Sequence, residues 1–239
     1  MSNSFFRFKQ FTVHQQYCAM KVCTDASLFG AWLAQHTALV NCTTVLDIGT
    51  GTGLLPLLLA QQLSAATIEA LEIEEAAAKQ AAANFQASGW SNRLRVIHID
   101  ARAFSTHKKY ELVVSNPPFF DNDLKSADAQ RNLALHSAAL SLDEVVTIAK
   151  DNNSEQGLLA FLLPFHRCSY FENLAATKGL YLREKLLVRQ TPKHAYFRAM
   201  LLFSQTPVTP AIGELTIKDE TNNYSAAFID LLKKYYVKL

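Results

Sequence analysis

The chain has 239 residues, 49% of them hydrophobic and 18% charged, with a formal net charge of +2. That composition excludes a disordered chain, and the length suits one domain with a modest extension. The longest unbroken apolar stretch, residues 54–60, is far short of the roughly 20 residues that span a bilayer, and no secretion signal opens the chain, so a cytoplasmic protein without a membrane partner is expected.

The N-terminal segment, residues 1–43, precedes the first core strand. Its run Phe8-Lys-Gln-Phe-Thr-Val-His14 reads as a hairpin-like cover. The stretch Leu28-Phe-Gly-Ala-Trp32 reads as a short amphipathic helix, so the segment would form a lid. Cysteines at 18, 23, 42 and 168 lack the paired spacing of a zinc site, and free thiols with no bound metal are expected. No His-Glu-x-x-His and no Gly-x-Ser-x-Gly is present, which removes metalloprotease and hydrolase readings.

From residue 44 onward short β-type runs alternate with helical patterns. Residues 44–48 predict a strand and 54–63 an apolar helix, with Pro56 in the first turn where a missing donor costs little. A strand over 67–73, an alanine-rich helix over 74–88 closed by Gly89, and strands over 95–99 and 111–115 follow. A helix over 141–150 leads through Asn152-Asn153 to a strand over 158–163, and a helix over 167–178 ends at Gly179. The last two strands, 181–189 and 197–204, flank the turn Thr191-Pro-Lys193 and should form a hairpin.

Strands spaced by helices imply right-handed βαβ units. The expected fold is therefore α/β and Rossmann-like: a seven-stranded, mostly parallel sheet with an antiparallel last strand and helices on both faces. The core is residues 44–204, and 205–239 is a C-terminal extension of the same domain, with Leu215-Thr-Ile217 packed on the sheet and a helix near 225–236.

Two motifs carry chemistry. The first, Asp47-Ile-Gly49-Thr-Gly51-Thr-Gly53, joins the first strand to the first helix, at the strand ends where such sheets bind ligands. Leu54 occupies the final glycine position of a dinucleotide fingerprint, and no Lys-Ser/Thr follows for a nucleotide P-loop. Glu72 ends the second strand, where an acid can accept both hydroxyls of a ribose, and Asp100 ends the third. The second motif, Asn116-Pro-Pro-Phe119, ends the fourth strand. An exocyclic or amide nitrogen is a poor nucleophile, and the Asn116 side-chain oxygen and Pro117 carbonyl can accept its N–H bonds and hold it in line. The prolines fix the backbone, and Phe119 offers a ring on which a planar base can stack.

The glycine loop resembles the S-adenosylmethionine loop of class I methyltransferases. That resemblance implies that Asp47, Gly49, Gly51 and Gly53 line the methionine part of the cofactor and that Asp100 meets its adenine amine. With the Lys-Gln-Phe segment, Asn-Pro-Pro-Phe and the C-terminal helix, nearly the whole chain is similar to the bacterial valine tRNA adenine-N6 methyltransferases, which act on the adenosine 3′ of the anticodon. Cys23 and Ala26 stand where that family usually has glycine. The same resemblance makes S-adenosyl-L-methionine the cofactor and tRNA the partner of what is expected to be a monomer. Lys21 and Thr24 are expected at the cofactor's carboxylate.

Arg7, Lys9 and Lys21 precede the first acid of the chain, Asp25, and residues 178–198 carry a local charge of +5. Arg7, Lys9, Lys21, Arg189, Lys193 and Arg198 are the expected phosphate contacts, joined by Arg131 and His136. Two alternatives remain at this point. One is transfer to another planar nitrogen, ribosomal guanine N2 or a protein glutamine amide; the short 43-residue N-terminal segment disfavours the latter. The other is a binding module that keeps the cofactor without catalysis.

Overall fold

The computed structural model describes residues 3–117 and 140–239. Phe119, Arg131 and His136, expected at the site, lie outside the described residues.

The strands are β1 (Phe5–Arg7), β2 (Thr12–His14), β3 (Thr44–Ile48), β4 (Thr67–Glu72), β5 (Leu94–His98), β6 (Tyr110–Ser115), β7 (Asn153–Pro164), β8 (Tyr181–Arg189), β9 (Tyr196–Ser204) and β10 (Ala211–Thr216). The helices are α1 (Thr24–Ala34), α2 (Leu54–Gln62), α3 (Glu75–Gln86), α4 (Leu142–Asn152), α5 (Cys168–Thr177) and α6 (Ala226–Leu232). β1 and β2 form an antiparallel ribbon, and the other eight strands make one sheet in the order β10-β8-β9-β7-β6-β3-β4-β5. β9 runs antiparallel to both β7 and β8, and every other pairing in that sheet is parallel.

The central strands are apolar on both faces because both faces are covered. Along β7, Leu158, Ala160 and Leu162 join one core with α1, α2 and α6, while Leu159, Phe161 and Leu163 join another with α4 and α5. α4 starts on a capping box, in which Ser141 Oγ accepts from Glu144 N and the Glu144 carboxylate accepts from Ser141 N.

Four expectations need correction. The sheet has eight strands, not seven: residues 211–216 pair parallel with β8, from Ala211↔Glu184 to Thr216↔Arg189. The hairpin leaves β8 as an open edge, and an unpaired edge is satisfied by recruiting another strand. α1 is not amphipathic, since every residue from Ala26 to Ala34 is buried; α2 and the C-terminal helix α6 cover the side a lid would expose. Gly89 does not cap α3, whose C-cap is Ala87, whereas Gly179 ends α5 in the left-handed conformation (φ 74°). No loop separates α4 from β7, because Asn152 ends the helix and Asn153 begins the strand.

The chain ends close on each other. Phe8 bridges Tyr236, Lys9 N donates to Tyr235 O at 2.8 Å, and the Tyr235 hydroxyl donates to Leu58 O at 3.2 Å. α1 approaches α2 closely at Gly30, where an added Cβ would lie 2.5 Å from Leu58 Cδ1 and 3.0 Å from Leu58 Cβ. Gly30→Val should therefore lower the unfolding free energy by about 1–3 kcal/mol through overpacking, read as a lower urea midpoint at unchanged slope. An unchanged midpoint would show that the two helices are not in tight contact.

Candidate active site

The parallel strands β3 to β8 end on one rim of the sheet, and the two motifs lie there. After β3 the chain turns through Gly49, Gly51 and Gly53, all left-handed with φ of 78°, 55° and 80°. Any other residue would be strained in these positions. At Gly53 a side chain would also meet Phe85 Cε1 at 2.5 Å, whereas at Gly49 and Gly51 the space beyond the backbone is empty to 4 Å. Backbone bonds hold the loop: Gly49 N and Thr50 N donate to Leu71 O, each at 3.0 Å. Gly51 N donates to Glu72 Oε2 at 2.7 Å.

A cleft opens over the loop, lined by Met20, Lys21, Cys23 and Ala26 on one side, residues 49–52, Leu54 and Leu55 below, and Asn116. The cleft is partly open to solvent. Four buried polar atoms here, on three side chains, have no hydrogen-bond partner: Asp47 Oδ1 and Oδ2, Thr50 Oγ1 and Asn116 Oδ1. Buried polar atoms are nearly always satisfied, so a cluster of orphans beside a cleft marks ligand contacts.

Asp47 is fully buried, and its carboxyl is pushed up from 3.8 to about 7. Burial is the main cause; the nearby Thr50 hydroxyl offsets it slightly without making a well-aligned bond, and the Glu72 charge adds to it. Glu72 is also buried, yet satisfied: its Oε1 accepts from Glu74 N at 3.0 Å while Oε2 holds Gly51 N. Each oxygen keeps lone-pair capacity for a hydroxyl.

Asp100 lies at the rim after β5, outside the cleft lining. It accepts from Arg102 Nε and, at 2.7 Å, from Nη2, and these bonds hold its carboxyl below the usual range. Lys21 lines the cleft with its ammonium on the Gln15 carbonyl. Thr24 does not line it, and its hydroxyl faces Tyr236. Cys23 has extended backbone (φ −127°) and Ala26 is helical, so neither position requires glycine here. The Cys23 thiol is pushed up to about 12, mainly by burial, and stays protonated.

The basic residues fall in two groups. Arg7 stands on β1, and Lys9 Nζ donates to Lys233 O at 2.6 Å, beside the C-terminal turn. Arg189, Lys193 and Arg198 stand on the β8–β9 hairpin. Arg189 pairs with Glu214 at 3.1 Å and Arg198 with Asp25 at 2.6 Å, while Lys193 is exposed in the turn. Among the described residues no group of acids, histidines and cysteines could hold a metal, and no helix is long and apolar enough to cross a membrane.

One positioning group escaped sequence reading. Buried Asn84 of α3 donates to Thr52 O at 2.9 Å and to His14 O at 2.8 Å, and accepts from His14 N, which ties the N-terminal ribbon to the glycine loop. In an alanine-rich helix a lone Asn reads as a solvent-facing residue, and no sequence signal separates the two cases.

The fold and the loop define a methyltransferase: residues 14–153 match the family model of the methyltransferase small domain. A predicted O-methyltransferase from Agrobacterium tumefaciens superposes with a TM-score of 0.66 at 16% identity, over 88% of this chain and 96% of that one. In sequence, the tRNA1(Val) (adenine(37)-N6)-methyltransferase of Flavobacterium johnsoniae is 41% identical over 98% of this chain and 100% of its own length. The enzyme of that name from Bacteroides fragilis is 39% identical over the whole of both chains. The chain belongs to this tRNA1(Val) (adenine(37)-N6)-methyltransferase family.

The raised pKa of Asp47 has a defined sign in stability. The folded state binds this proton more tightly than the unfolded chain, so the contribution is complete below about pH 4 and is lost as pH rises through about 7. Without cofactor, Asp47→Asn should gain on the wild type by up to roughly 4 kcal/mol between pH 4 and 8, followed by urea unfolding at each pH. A pH-independent difference would mean that Asp47 is already satisfied.

Proposed function

We propose that the chain transfers the methyl group of S-adenosyl-L-methionine to the exocyclic N6 of adenosine 37 in valine tRNA. The observation that carries this reading is the buried, unpartnered Oδ1 of Asn116 on the wall of the glycine-loop cleft. When bound, the cofactor supplies an electrophilic methyl on a sulfonium. Asp47, Glu72 and the backbone of Gly49 and Gly51 hold it, with the orphaned Asp47 carboxylate and Thr50 hydroxyl meeting its polar groups. Lys21 and Thr24 at its carboxylate and Asp100 at its adenine amine complete the proposed set. Lys21 keeps two ammonium donors for a carboxylate beyond the one on the Gln15 carbonyl, and Asp100 reaches an amine only with a lone pair left over from Arg102.

At the acceptor end, Asn116 Oδ1 and the Pro117 carbonyl take the two N–H bonds of the adenine amine. These acceptors orient the nitrogen and stabilise the positive charge that develops as the bond forms. No strong base is needed, because the proton leaves after nitrogen has become cationic. Ser115 Oγ donates to Ile48 O at 2.8 Å, which pins β6 to β3 just before Asn116. Phe119 is assigned the face of the extruded base.

Arg7, Lys9, Lys193, Arg189 and Arg198 are assigned to tRNA phosphates, the last two through guanidiniums that already carry a carboxylate partner. The test is incubation with labelled cofactor and total tRNA, then digestion and mass spectrometry of the modified nucleoside. N6-methyladenosine is expected, and label in guanosine or protein would replace this reading. Asn116→Ala should cut transfer by about 10²–10³-fold with cofactor affinity nearly unchanged; comparable turnover would remove Asn116 from catalysis. tRNA affinity should fall steeply with salt, and Arg7→Glu with Lys193→Glu should lower the slope of log K against log salt; an unchanged slope would clear both residues of phosphate contact.

A further inference from the structure

The rim beside the acceptor site carries aromatic rings that nothing in the core explains. β7 ends at Pro164, and the chain turns at once through Phe165-His166-Arg167, all exposed. Phe165 keeps 40% of its surface in solvent. Its ring lies 5.4 Å from that of Tyr196, the first residue of β9. Tyr196 is held in turn: the Arg189 guanidinium lies 5.3 Å from its ring centre.

The register places this pair near the acceptor. Ser115 is opposite Phe161 across β6–β7, so Pro164 at the end of β7 stands roughly 10 Å beyond the level of Ser115 along the strand, and Phe165 follows it in the turn. That is the reach of a nucleotide next to an extruded base, not of the base itself. Cations outnumber acids here: Glu214 meets the Tyr196 hydroxyl and is paired with Arg189, while Arg167 is exposed with its guanidinium 5.2 Å from the Tyr170 ring and Lys193 is exposed in the turn before Tyr196. Exposed rings interleaved with cations are how proteins hold unpaired nucleotides, the rings taking base faces and the cations taking phosphates.

We propose that Phe165 and Tyr196 form a stacking platform for an unpaired nucleotide flanking the methylated base, with Arg167 and Lys193 on its phosphates. This rests on the RNA reading of the site. It gives the enzyme a grip on single-stranded loop geometry that duplex RNA, with its bases paired and stacked, does not satisfy.

The test uses the full-length enzyme and an RNA hairpin of the valine anticodon arm. 2-Aminopurine replaces the nucleotide on one side, then the other, of the target adenosine. Binding to the wild type should quench its fluorescence in at least one of these positions. Phe165→Ala and Tyr196→Ala should abolish that quenching and raise the RNA KM roughly 10- to 100-fold, at unchanged cofactor affinity and melting temperature. Phe165→Trp and Tyr196→Phe, which keep a ring, should restore both readouts, whereas Phe165→Leu should not. If the wild type methylates the hairpin and the alanine variants match it in KM and quenching, the platform is overturned while the RNA reading stands; a rim that serves a protein would give this result. If the wild type neither binds nor methylates the hairpin, the RNA reading falls and the platform with it.

Discussion

The glycine loop keeps its shape because the neighbouring strand holds it by the backbone. Three left-handed glycines have no side chains to pack, so their conformation depends on where their N–H groups go. Leu71 O takes those of Gly49 and Thr50, and Glu72 takes that of Gly51. The parallel register pairs Ile48 with Leu71, which puts the last residue of β4 level with the start of the loop. From there α2 sets off at Leu54, and Asn84 reaches Thr52 O to bring in the N-terminal ribbon. Glu72 is thus a structural residue before it is anything else, with both oxygens fixed in place by backbone N–H groups.

The two buried acids beside the loop differ in their hydrogen bonds, not in their burial. Glu72 accepts two backbone N–H bonds and Asp47 accepts none. An unsatisfied buried carboxylate is costly, and here the cost shows as a carboxyl raised to about 7. A group that supplies a donor or a positive charge at Asp47 relieves that cost, so binding and the stability of the loop region are linked. The orphaned Asn116 oxygen follows the same logic in neutral form: a buried acceptor whose hydrogen bond no other described group supplies.

The parallel strands, the glycine loop and Asn-Pro-Pro were legible because each is a local pattern. Strand 44–48 and helix 54–62 lie where apolar runs and Pro56 placed them. What stayed hidden depends on partners distant in sequence. Residues 211–216 read as part of an extension packed on the sheet, and only the open edge of β8 shows that they pair into it as a strand. α1 looks amphipathic until α6 arrives from the far end of the chain to cover it. Asp25 and Arg198, 173 positions apart, gave no sign that they pair, so Arg198 read only as a surface cation. The failure at Gly89 is of another kind: Ser88 Oγ donates to Phe85 O at 2.7 Å and ends the helix in its own way, leaving the glycine nothing to cap.

The Asp25–Arg198 pair joins two parts of the site that the chain order keeps apart. Asp25 is in the first turn of α1, between Cys23 and Ala26 of the cleft wall, and Arg198 is two residues beyond Tyr196 on the rim. At 2.6 Å, half-buried and charge-assisted, the contact is stronger than a surface ion pair. It fixes the cleft wall to a strand next to β7, itself the neighbour of β6 and Asn116. Transfer of a methyl group needs donor and acceptor in line to within a fraction of an ångström, since displacements near 1 Å cost about 10²-fold. Packed in the core through α1, and anchored to the sheet through Arg198 and to the loop through Asn84, the N-terminal segment shares one rigid frame with β6 and the glycine loop.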